Sequence, residues 1–174
     1  MRIIAGEHRG RRLGVAARPE LRPTPDRVRE TLFNWLGQWL DGLACLDLFA
    51  GTGVLGFEAA SRKAARVVMV ENDRSTFEIL KKHREQLRAG RVEVILCDAM
   101  DYLRKSEEKF DVVFLDPPFR QNALAPVLER LPGRLAAGAR VYVESAAPLE
   151  VQAPWREIRR SHAGQVSYQL LERQ

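Results

Sequence analysis

Apolar positions recur along this chain in two rhythms. Short apolar runs at 43–48, 66–71, 92–97 and 110–115 predict strands, and the stretches between and after them predict helices at 54–62, 73–89, about 100–105 and 121–130. Strands alternating with helices predict an α/β fold with a parallel sheet. Further runs at about 139–145, 155–161 and 165–172 add three strands, and the last two are close enough in sequence to pair as an antiparallel hairpin. Upstream, Val28, Leu32, Trp35, Leu36, Trp39 and Leu40 recur at helical spacing, a stripe that reads as core packing. Thr24 is expected to cap that helix, with Pro25 at its first position and Asp41-Gly42 as its stop. Residues 2–15 carry two short apolar stretches around Gly6 to Gly10 and predict a β-hairpin with a basic loop.

The ends of the predicted strands carry the chemistry. The run Phe110 to Leu115 delivers Asp116-Pro117-Pro118-Phe119, a carboxylate, two stiff prolines and a ring at the mouth of a buried strand. Proline fixes φ and lacks an N–H, and the residue before it is driven to extended geometry, so the carbonyls here are free acceptors. This suits a planar base with an exocyclic amine. Asp116 and the Pro117 carbonyl would accept its two N–H bonds while Phe119 stacks on the ring. A Pro-Pro turn that merely closes a strand is the structural alternative.

A cofactor site precedes it. Leu43 to Leu48 leads into Phe49-Ala50-Gly51-Thr52-Gly53-Val54-Leu55-Gly56, a glycine-rich turn between a strand and a helix. Gly51 and Gly53 permit the turn, and Gly56 lets helix and strand approach. Glu71, twenty residues after Gly51, is placed for ribose hydroxyls, and Asp98, Ala99 and Met100 follow the third strand, where Asp98 could take an adenine amino group and Met100 pack on the ring. Asp47, Glu71, Asp98 and Asp116 thus end four strands. The glycine pattern also fits a dinucleotide, but a pyrophosphate disfavours neighbouring anions, whereas the ammonium and sulfonium of S-adenosyl-L-methionine favour them.

A chain of 174 residues that is 45% hydrophobic can bury one sizeable core. No apolar run approaches a bilayer span and the first residues lack a signal peptide's apolar region, so a cytoplasmic location without membrane attachment is expected. Cys45 and Cys97 have no metal-ligand or disulfide spacing and are expected as buried thiols; His83 is expected on a helix surface, and no metal site is expected. Charge is uneven. Residues 1–29 hold eight arginines against Glu7, Glu20 and Asp26, which accounts for the whole net charge of +5. Arginine used exclusively in one segment fits phosphate recognition, through Arg2, Arg9, Arg11, Arg12, Arg22, Arg27 and Arg29. A solvated basic face is the alternative.

Arg2-Ile3-Ile4-Ala5-Gly6, Arg9-Gly10-Arg11, Leu21-Arg22-Pro23-Thr24, Asp26 through Leu36, Asp116-Pro117-Pro118-Phe119 and Ala163-Gly164-Gln165-Val166-Ser167-Tyr168 together resemble the bacterial small-subunit ribosomal RNA guanine-N2 methyltransferases. The likeness covers nearly the whole chain, and its amino-terminal part is the more specific. His8 and Pro25 depart from the pattern, where an aromatic residue and a threonine would be expected. The resemblance implies a Rossmann-like class I methyltransferase with a mostly parallel seven-stranded sheet, helices on both faces, an antiparallel carboxyl-terminal hairpin and a small amino-terminal β-hairpin. It implies a basic RNA-binding extension at 1–23 on a methyltransferase domain at 24–174, one compact unit acting as a monomer. The implied reaction uses S-adenosyl-L-methionine to methylate one guanine of 16S ribosomal RNA in assembled or nearly assembled small subunits. A DNA or RNA N6-adenine methyltransferase would share Asp116 to Phe119, although a DNA enzyme usually needs a larger recognition region. A nicotinamide oxidoreductase and a non-catalytic RNA-binding module are the other readings.

Overall fold

The computed structural model describes residues 1–14, 24–118 and 123–174. Phe119, Arg22 and the start of the helix expected from 121 lie outside the described residues. In chain order the elements are α1 (Asp26–Leu36), β1 (Ala44–Asp47), α2 (Val54–Ser61), β2 (Arg66–Glu71), α3 (Arg74–Leu87), β3 (Val92–Leu96) and α4 (Ala99–Lys105). They continue with β4 (Phe110–Leu115), α5 (Leu124–Arg130), a 3₁₀ turn (Leu131–Arg134), β5 (Leu135–Ser145), β6 (Trp155–Ala163) and β7 (Val166–Arg173).

Seven strands form one sheet in the order β3-β2-β1-β4-β5-β7-β6. β1 to β5 are parallel, and β7 runs antiparallel between β5 and β6. Side-chain alternation splits the apolar residues between two layers. Cys45, Val67, Met69, Phe114 and Tyr142 pack against α1, α2 and α3, while Leu46, Val68, Val113, Leu115 and Val143 pack against α4 and α5. The chain moves from β1 outward through β2 to β3 and then returns to place β4 on the other side of β1. The carboxyl ends of β1 and β4 therefore flank a topological switch point, where open α/β sheets bind ligands.

The amino-terminal residues form the expected hairpin in reduced form, a single antiparallel bridge between Arg2 and Arg12 with Gly10 N–H bonded to the Ile3 carbonyl. Ile3 and Leu13 join the same core as α1 to α3. The loop between them lies on the end of α2: Glu7 N–H reaches the Ser61 carbonyl at 2.7 Å and His8 N–H reaches Ser61 Oγ at 2.9 Å. Gly6 is required at this contact, because its φ is +82° and a Cβ would stand 1.9 Å from the Ser61 carbonyl oxygen. Covered on both sides, α2 is buried along its whole length, including Glu58 and Ser61.

Three local expectations are corrected. α1 ends at Leu36, not near Leu40, because Gly37 takes φ 102° and turns the chain away; Trp39 is consequently exposed, with the Lys63 ammonium over its ring. Thr24 does not cap α1: its hydroxyl donates to Glu144, 120 residues away. His83 faces inward instead of solvent, its ring edge-on to Phe57, and burial lowers its proton affinity. The amino-terminal segment adds to this: a Cβ on Gly14 would lie 3.9 Å from His83 Nε2, and the amino-terminal charge lowers the proton affinity further. Among the described residues no helix is long and apolar enough to cross a membrane.

Candidate active site

Asp47 ends β1 on the α1–α3 side of the sheet and is buried. Its Oδ2 accepts the Gly56 N–H at 3.0 Å, tying the strand to the first turn of α2. A Cβ on Gly56 would lie 2.8 Å from Met69 Cγ and 3.2 Å from that same Oδ2, so the close approach expected there is observed. Between them the glycine turn is left-handed at Gly51 (φ 49°) and at Gly53 (φ 76°). Gly53 has a second constraint: its Cβ would meet Leu80, Met69 and Phe57 within 2.8 Å, so it yields room to the core rather than to a ligand. Glu71, ending β2, spans the turn, with Oε2 accepting the Gly51 N–H at 2.9 Å and Oε1 the Asp73 N–H at 2.8 Å. Asp98 caps α4, both the Met100 and Asp101 amides donating to its Oδ1. Ala99 is buried and Met100 half-buried beside it.

Asp116 and Pro117 follow β4, one strand over from Asp47. The register pairs Asp47 with Phe114, so Asp116 stands one alternation further along the same face. Burial raises its proton affinity well above the ordinary carboxylate range, and the charges of Glu144 and Asp47 add to this. Asp47 is pushed up to about 7, by burial first, against the Gly56 hydrogen bond and with help from Glu71 and Glu144. The carboxylates thus crowd one another at the mouth of the sheet. A pyrophosphate placed there would worsen the repulsion and a cation would relieve it. That electrostatic demand fits the charged end of S-adenosylmethionine and disfavours a dinucleotide.

Glu144 was not foreseen. It ends Val141-Tyr142-Val143-Glu144 much as Glu71 ends Val67 to Val70, and an acid closing an apolar strand is the signal that could have found it. Its Oε1 accepts Tyr142 Oη at 2.9 Å and Thr24 Oγ1 at 3.1 Å. Burial raises its proton affinity while these two donors lower it.

The arginines divide. Arg9, Arg11, Arg12 and Arg27 are exposed, and Arg2 pairs with Asp26 at 3.1 Å while keeping much of its side chain in solvent. Arg29 is not an RNA-facing residue. Its guanidinium is 1% exposed and is spent on Glu58 at 3.1 Å, on the Thr24 carbonyl at 3.2 Å and on Asp26. Helical spacing turns it inward with Val28, Leu32 and Phe33.

The strand order, the glycine turn bridged by Glu71 and the acidic carboxyl end of the sheet define a class I S-adenosylmethionine-dependent methyltransferase. A family model described as Conserved hypothetical protein 95 matches residues 1–172. The chain is 45% identical over 179 residues to Ribosomal RNA small subunit methyltransferase D of Escherichia coli strain K12, covering 100% of this chain and 90% of that protein. The protein of the same name from Haemophilus influenzae is 42% identical over 180 residues, covering 99% and 93%. A solved structure described as the putative methyltransferase yhhF from Escherichia coli superposes with a TM-score of 0.90 at 45% identity, covering 99% of this chain and 97% of that one. The chain belongs to this family of small-subunit ribosomal RNA methyltransferases.

Proposed function

We propose that this protein methylates the exocyclic N2 amine of one guanine in 16S ribosomal RNA, acting as a cytoplasmic monomer on assembled or nearly assembled small subunits. The observation that carries the reading is the pairing of Asp116-Pro117 with the acidic ends of β1, β2 and β5 at one switch point. Full-length similarity to enzymes named for small-subunit ribosomal RNA supports the substrate class.

When bound, S-adenosylmethionine supplies a methyl group made electrophilic by its sulfonium. Glu71 and the Gly51 to Gly53 turn would hold its ribose side, Asp98, Ala99 and Met100 its adenine, and Asp47 its charged end. Asp116 and the Pro117 carbonyl accept the two N–H bonds of the guanine amine. This draws the nitrogen lone pair out of the ring and stabilises the positive charge that grows on N2. The raised proton affinity of Asp116 suits it to hold the proton that N2 then sheds. The base must leave its stack to enter, and Phe119 is proposed to receive it.

The deciding experiment maps methylated guanines in 16S ribosomal RNA from cells with and without the gene. Loss of one N2-methylguanine is the expected result, and an unchanged RNA, or loss of a methyl group from a different base, would overturn the reading.

Glu71→Ala should weaken S-adenosylhomocysteine binding by about 1–3 kcal/mol in calorimetry, since charged hydrogen bonds are lost and the turn is released. Wild-type affinity in that variant would remove Glu71 from the cofactor site.

Arg2, Arg9, Arg11, Arg12, Arg22 and Arg27 are proposed to hold RNA phosphates. Replacing Arg9, Arg11 and Arg12 together by glutamine should flatten the plot of log affinity for small subunits against log salt by about one unit per lost contact. Cofactor affinity should stay unchanged. A salt slope equal to that of the wild type would mean that these side chains are merely solvated.

A further inference from the structure

Asp116 has a second acid at its side. β4 and β5 are parallel with Leu115 opposite Val143, so Asp116 and Glu144 occupy the next positions on adjacent strands, whose backbones run about 5 Å apart. Phe114 and Tyr142 both lie in the core facing α1, and alternation turns the two acids to that same side. Glu144 is only 5% exposed. Tyr142 and Thr24 both donate to Oε1, which fixes the carboxyl plane; among the described residues no donor reaches Oε2. Satisfying two hydroxyls does not require an acid, since an amide oxygen would serve, and a buried carboxylate beside another is costly without donors to meet it.

We propose that Glu144 reads the base: its Oε2 accepts the N1–H of the target guanine while Asp116 and the Pro117 carbonyl hold the N2 amine. The inference rests on the N2-guanine reading above and assigns its specificity. Guanine presents N1–H and the N2 amine as adjacent donors on its Watson–Crick edge. Adenine presents an acceptor at N1, which would face a carboxylate lone pair, so the same acid that binds one purine repels the other. Thr24 lies two residues before α1, which makes the orientation of this acid depend on the amino-terminal part of the chain.

The test uses 2-aminopurine, which keeps the amine but has a bare lone pair at N1 and hydrogen in place of the 6-oxygen; only the N1 change is one that Glu144→Gln can reverse. Small subunits are reconstituted with 16S ribosomal RNA carrying guanosine or 2-aminopurine riboside at the mapped position, and methyl transfer is timed for wild type and Glu144→Gln. Wild type should prefer guanosine by at least about a hundredfold, because a site built around a donor rejects a ligand that lacks it. Glu144→Gln can turn its amide N–H toward the lone pair, so it should lose rate on guanosine, gain on 2-aminopurine and bring the ratio near one. An unchanged ratio in a variant that binds S-adenosylhomocysteine normally overturns the proposal. Should the variant fail to fold, equal wild-type rates on the two substrates overturn it as well, and a marked preference supports it. Methylation mapped to an atom other than guanine N2 would instead defeat the underlying reading, and this inference with it.

Discussion

Asp116→Ala should reduce methyl transfer to small subunits by about 10²–10³-fold, the loss typical of removing one group aimed at developing charge, while S-adenosylhomocysteine affinity stays near wild type. The separation follows from position. Asp116 ends β4 and is proposed to face the amine, whereas Glu71 and the glycine turn that it bridges lie across the switch point on β1 and β2. Removing Asp116 also lifts a like charge from Asp47, so cofactor affinity should if anything change little. Single-turnover transfer and calorimetry on one preparation decide it. Transfer at the wild-type rate would strip Asp116 of its role, and a collapse of cofactor affinity alongside activity would move it to the cofactor site.

The largest effect on stability is expected away from the chemistry, at Glu58→Ala. This carboxylate is fully buried in α2 and gathers four donors: the amides of Ile4 at 2.9 Å and Ala5 at 3.0 Å, Arg29 at 3.1 Å and Arg62 at 2.9 Å. Its loss would leave two buried guanidinium groups without a counter-charge there and two amides without acceptors. Breaking a buried pair in this way costs about 3–5 kcal/mol. In a domain of this size each kcal/mol lowers the melting temperature by about 2–4 °C. The amides of Ile4 and Ala5 should lose protection against hydrogen exchange before the strands of the sheet do. A melting temperature within two or so degrees of wild type would show that the arm and α1 are held by apolar packing alone. Because Glu58 lies in the helix that leaves the glycine turn, this hub also joins the basic arm to the cofactor side of the molecule.

Several residues carry their placement in the local sequence. Asp47, Glu71 and Asp116 follow apolar runs, and a strand buried on both faces must be apolar until it emerges, so the polar residue that ends the run marks its mouth; Asp98 follows the edge strand β3 and is placed instead by capping α4. Gly51 and Gly53 were legible for a related reason, since backbone at positive φ strongly favours glycine. The closing hairpin of β6 and β7 was readable because only two residues separate its strands.

Other assignments depended on partners remote in sequence. Arg29 and Glu58 are typical surface residues by type and are buried only because the amino-terminal arm folds across α2, bringing together groups 29 to 54 positions apart. His83 turned inward because its face of α3 packs on Phe57 of α2, far from it in sequence. Glu144 shows the limit most clearly. Its strand-end pattern matches that of Glu71, yet nothing in the order of the strands along the chain tells that β5 lies beside β4 or that Thr24, 120 residues earlier, would donate to it. By itself the sequence determined the alternation of strands and helices, the acidic strand mouths and the basic arm, because periodicity, proline and glycine act within a few residues. Which acids face one another, and which arginines remain exposed, were decided by tertiary structure alone, because burial and charge pairing are properties of surfaces that meet only after the chain has folded.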